Sequence, residues 1–90
     1  MPSLFRFGPY FLYFWTGENG EPVHVHVSVK RPAKDATKIW LTKSGGCVLA
    51  HNKSGIPDRD LRDIMQLVAA NHGYICERWE EVTGSVGFYR

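Results

Sequence analysis

Along residues 23–30, VHVHVSVK, valines at 23, 25, 27 and 29 alternate with His24, His26, Ser28 and Lys30. A period of two held over eight positions predicts a strand with one apolar and one polar face. The pattern recurs through the first half of the chain. LFRF (4–7) reaches the turn pair Gly8-Pro9, and YFLYFW (10–15) resumes with aromatic residues that suit a pleated sheet. KIWLTK (38–43) sets Ile39 and Leu41 against Lys38, Trp40 and Thr42, SGG makes a turn, and CVLAH (47–51) forms a last short strand. In an antiparallel meander of these strands, the valines face the core and His24, His26, Lys30, Lys38 and Trp40 share the outer face.

The second half changes period. Leu61, Ile64, Met65 and Val68 fall at i, i+3, i+4 and i+7, one stripe of a helix over 58–71. Pro57 suits the start, Asp58 is the expected cap, and Asp60 and Asp63 favour the positive end of the dipole. Asn71-His72-Gly73 supplies a break, and His72 suits the closing end of the first helix. Ile75, Trp79 and Val82 then mark a second helix over 74–83, and SVGFYR follows as a flexible tail, 84–90. Strands first and helices after give an α+β class: an antiparallel sheet of four to five strands over 4–51, packed against two C-terminal helices in one domain, 1–90.

Composition narrows the classes. The chain is 43% hydrophobic and 13% aromatic, the profile of a folded domain. Its longest apolar run, YFLYFW, is far short of the roughly 20 residues that cross a bilayer. With only Cys47 and Cys76 and no secretory leader, the expectation is a cytoplasmic protein with two reduced thiols, not a disulfide scaffold. The net charge of +2 is unevenly spread: residues 1–57 hold seven of the 11 cations but three of the nine acids. A basic first half suits nucleic acid or an acidic protein as partner.

Candidate chemistry centres on His24 and His26. Residues i and i+2 of a strand point the same way, about 6.5–7 Å apart at the backbone, so two imidazoles can converge on one target. As acid–base groups they suit RNA, one removing a proton from a ribose 2′-hydroxyl and the other protonating the leaving oxygen. Lys38 completes the catalytic set by stabilising charge on phosphate, with Arg6 and Lys30 as further phosphate contacts, Trp40 as a stacking surface and Asn52 as a loop contact. HxH without a completing motif leaves the expectation of no metal and no cofactor. Were an ion held, Glu21 and His51 are the candidates to complete its shell. The same face read as a protein interface, centred on Trp40, is the competing account.

The chain resembles the bacterial family catalogued as domain of unknown function four-one-six-zero. The likeness runs over residues 1–83: the MP start with Arg6, GEPVHVHV at 20–27, AxKIWL at 36–41, LAHNKSGI at 49–56, LxxIxxLV at 61–68, Asn71 and Trp79. Members are similar to components of small toxin–antitoxin-like modules, some labelled toxins of type II systems. The resemblance implies a cytoplasmic toxin bound by a cognate antitoxin in a hetero-oligomer, with no membrane involvement. It directs attention to Glu21, Pro22, His24, His26, Lys38, Trp40, Asn52 and Gly55. Thr42 stands where relatives commonly carry an acidic residue, the Ala-Ala-Asn-His-Gly stretch replaces a more charged helix, and the tail lies outside the likeness. Two functions follow as expectations: a type II toxin acting on RNA through the histidine face, or a non-enzymatic protein-binding module, antitoxin-like or an inhibitor of a host protein, using that face.

Overall fold

A computed structural model describes residues 2–18 and 20–90; Met1, part of the MP start, and Asn19 lie outside the described residues. The chain forms β1 (Ser3–Phe7), β2 (Tyr10–Tyr13), β3 (His24–Val29), β4 (Thr37–Leu41) and β5 (Cys47–His51), then α1 (Asp58–Ala70) and α2 (His72–Thr83). The strands pair antiparallel in sequence order, so the sheet is the meander that the alternating pattern predicts and the class is α+β. The β1–β2 hairpin turns on Gly8, whose φ of 57° lies where a side chain is disfavoured. Strand β2 is shorter than the aromatic run, because at Trp15 the backbone turns away to open the loop before β3.

Leu12, Phe14, Val23, Val25, Val27, Ile39 and Leu41 meet Leu61, Ile64, Val68, Ile75 and Trp79 in one apolar core between sheet and helices. The valine face is therefore the covered one, except that Val29, at the last position of β3, is exposed. In α1 the cap position falls on Pro57 with no side-chain cap bond, and Asp58 lies inside the first turn with Asp60. The break between helices is Asn71 alone: its N–H reaches the carbonyls of Leu67 and Val68, and its amide donates to Leu67. His72 accordingly opens α2 instead of closing α1, and its Nε2 lies 2.6 Å from the Thr42 carbonyl. Gly84, at φ 93°, ends α2.

Residues 84–90, expected as a flexible tail, lie against the sheet. Val23 N–H donates to the Gly87 carbonyl and Lys43 N–H to the Arg90 carbonyl. Phe88 stacks on His72 and Tyr89 on Trp40. The tail thus places an aromatic ring over the sheet position where the histidine pair begins.

Candidate functional site

Pairing across β3 and β4 sets His24 opposite Trp40 and His26 opposite Lys38, bringing four of the expected residues onto one face. That face is not uniformly open to water. His24 is fully buried, contrary to the expectation that both rings face solvent. Its ring packs edge-on against His26, Trp40 and Trp79 at centroid distances of 4.8, 5.4 and 5.1 Å. The cover comes from α2 and, through Tyr89 on Trp40, from the tail, neither of which strand periodicity reveals. The His26 side chain keeps 13% of its surface exposed and is the member of the pair that solvent reaches.

Both rings aim Nε2 at one atom. Glu18 Oε2 lies 2.9 Å from His24 Nε2 and 2.8 Å from His26 Nε2, and the two nitrogens are 3.2 Å apart. The other Glu18 oxygen accepts the Trp15 N–H at 2.9 Å, so the carboxylate is fixed from both sides. Burial alone would raise this carboxyl, but hydrogen bonds from His24, His26 and the Trp15 backbone, with the charge of His24, hold it far below the usual carboxylate range. His24 Nδ1 donates to the Pro22 carbonyl at 2.9 Å, which orients the ring. Among the described residues, Glu18, His24 and His26 are the trio of metal-capable side chains whose donor atoms converge, all within 4.8 Å.

Sequence reasoning missed Glu18. The available signal was an acidic residue six positions ahead of HxH in the glycine-containing loop TGENGEP, a loop whose path only the fold fixes. The two residues expected to complete a metal shell lie elsewhere. Glu21 is ion-paired with Lys38 at 2.9 Å. His51 faces Lys38 across the β4–β5 bulge, and its buried Nδ1 has no partner among the described residues. Burial and the charges of Lys53, Lys38 and His26 push His51 down.

The remaining candidates divide. Lys38 Nζ sits 4.2 Å over the Trp40 ring, and Tyr89 stacks on the same ring 5.0 Å away and nearly parallel. Trp40 is thus a filled aromatic contact in this structure and not an open platform for a base. Arg6 shares the face but lies over the Phe11 ring on β1–β2, two strands from the histidines. Asn52 is turned into its own loop: Oδ1 accepts the Thr37 hydroxyl at 2.6 Å and the Ile56 N–H at 3.0 Å, and Nδ2 donates to the Ile56 carbonyl at 2.9 Å. It fastens the β5–α1 connection and presents no free group to a ligand.

Lys30 leaves β3 at a φ of 71°, and the next residue's N–H returns to the Val29 carbonyl at 2.8 Å, a tight three-residue turn. The chain then folds back over the sheet, where Tyr13 ties it down: its hydroxyl donates to the Ala33 carbonyl at 3.0 Å and accepts the Ala33 N–H at 3.1 Å. Tyr13 pairs with His26 across β2 and β3, their ring centroids 5.6 Å apart. One residue therefore both packs on His26 and ties down, at Ala33, the loop that carries Lys30, Arg31 and Lys34. All three cations are exposed and make no ion pair among the described residues.

The family model described as Domain of unknown function (DUF4160) matches residues 10–80. The chain belongs to this family. No curated protein and no solved structure matches the chain. The DUF4160 match contains Glu18, His24, His26, Lys38, Trp40 and the basic loop, and leaves out Arg6 and the tail that carries Tyr89. Membership fixes the kinship of the site without assigning it an activity. Among the described residues no helix is long and apolar enough to cross a membrane.

Proposed function

We propose that the protein is the toxin-type member of a two-protein module, neutralised by a cognate antitoxin, and that free of that partner it cleaves RNA. RNA is met at His26 and at the loop of residues 30–34. The observation behind this reading is the Tyr13 tether: Tyr13 packs against His26, the histidine of the pair that solvent reaches, and ties down a loop with three exposed cations that make no ion pair among the described residues. Cations held along a surface attract a polyanionic backbone regardless of its sequence. In this reading His24, sealed behind Trp40 and Trp79, is a positioning residue, and Lys38 is engaged by Glu21.

Induced expression in a bacterial host tests the proposal. Growth arrest accompanied by new RNA fragments is expected, and both are lost in His26→Ala and in the combined Lys30→Ala, Arg31→Ala, Lys34→Ala variant. With three phosphate contacts, log affinity of the purified protein for single-stranded RNA should fall against log salt with a slope of about −2. Fragmentation that persists in both variants overturns the reading. Arrest with intact RNA moves the protein to the second reading, a non-enzymatic binding module on the same face. That reading is favoured by the inward aim of both Nε2 atoms, which leaves little imidazole chemistry on the surface.

A further inference from the structure

The trio Glu18, His24 and His26 brings one donor atom of each side chain to a single point. His24 Nδ1 faces a carbonyl, which can only accept, so that nitrogen carries the proton and the Nε2 of a neutral ring presents a lone pair. This lone pair points at a carboxylate oxygen 2.9 Å away and a second imidazole nitrogen 3.2 Å away. Three electron-rich atoms in mutual contact require positive charge between them. A proton shared within the trio can supply it, and so can a metal ion ligated by all three atoms.

We infer that Glu18, His24 and His26 form a three-ligand site for a divalent transition-metal ion. Bonds of about 2.0–2.2 Å separate donor atoms by about 2.8–3.1 Å when they meet at 90° and by about 3.3–3.6 Å at the tetrahedral angle. The observed separations are 2.8, 2.9 and 3.2 Å. The supporting shell also fits: a ligating histidine commonly gives its second N–H to a backbone carbonyl, as His24 does to Pro22, and ligating carboxylates are themselves hydrogen-bonded, as Glu18 is to Trp15. Two ligands two residues apart on a sheet strand and a third locked in a turn give a site formed before any ion arrives. Two imidazoles with one carboxylate select zinc, cobalt, nickel or ferrous iron over magnesium or calcium, which prefer shells of oxygen. Glu18 and His26 each keep a small exposed surface, 14% and 13% of the side chain, so the trio is not sealed from solvent as His24 is. The earlier expectation of a metal-free pair lacked the third ligand. This inference goes beyond the RNA reading and does not rest on it.

Chelator-treated full-length protein titrated with Zn²⁺, and separately with Co²⁺, provides the test, with no RNA present. One equivalent of either ion should bind and raise the melting temperature, and Zn²⁺ should shift the ring resonances of His24 and His26 but not those of His72. Glu18→Gln preserves side-chain shape and the acceptor for Trp15 N–H, so it should retain the fold by circular dichroism while weakening Zn²⁺ more than tenfold. His26→Ala should do the same at the less buried histidine. Natively folded protein that binds no ion, or binds it with unchanged affinity after Glu18→Gln, overturns the site. Metal binding without RNA cleavage would sink the proposed activity and leave the site standing.

Discussion

Lys30 shows at the residue scale how a local strain positions a candidate functional surface. An L-residue at a φ of 71° carries a cost of about 1–2 kcal/mol, and the return bond from Arg31 N–H to Val29 fixes it there. The turn carries the basic loop off β3 and back across the sheet. Lys30→Gly, which relaxes the strain, should raise stability by up to about 1 kcal/mol in urea denaturation, while the lost cation weakens binding of single-stranded RNA. A variant no more stable than the parent would show that the turn is unstrained. Glu18 gives the complementary lesson. Its identity was visible in the sequence, yet its role arises from the turn that points one oxygen at Trp15 and the other at two rings eight and six residues away.

Between elements, the LAHNKSGI stretch works as a clamp. Beyond the Asn52 bonds, Ser54 Oγ accepts the Thr37 N–H at 3.0 Å and donates to the Val27 carbonyl at 3.1 Å, stitching the β5–α1 loop to β3 and β4. The motif was legible as a candidate because polar residues around a glycine look alike whether they bind a ligand or hold a loop; which they do depends on where β4 runs. Asn52→Ala should cost about 2–3 kcal/mol, because it removes the acceptor of the fully buried Thr37 hydroxyl and a partner of the Ile56 backbone. RNA affinity per folded molecule should stay unchanged, measured on protein whose fold is checked by circular dichroism. A selective loss of RNA binding at full stability would return Asn52 to the ligand contacts.

Across the whole molecule, sheet and helices are joined by more than the apolar core. The Tyr10 hydroxyl on β2 donates to Asp60 on α1 at 2.5 Å, and this bond, with burial and the carboxylate charge, raises the phenol above its ordinary value. A raised acid favours the protonated form in the fold, so the contribution is complete below the unfolded phenol's pKa of about 10 and fades as pH rises beyond it. Wild type should therefore lose stability more steeply than Tyr10→Phe above pH 10, and Tyr10→Phe should be less stable by about 1 kcal/mol at neutral pH. Parallel curves in alkaline urea titrations would remove Asp60 as the partner. The sequence by itself determined the strands, the helices, their order and the face shared by His24, His26, Lys38 and Trp40, because periods of two and of 3.6 are local properties of a chain meeting water on one side. The tertiary structure alone decided that His24 is sealed, that Trp40 is covered and that Glu18 completes the trio. Those outcomes depend on a loop, a helix and a tail from distant parts of the chain arriving at one end of the sheet, and no periodicity encodes where they meet.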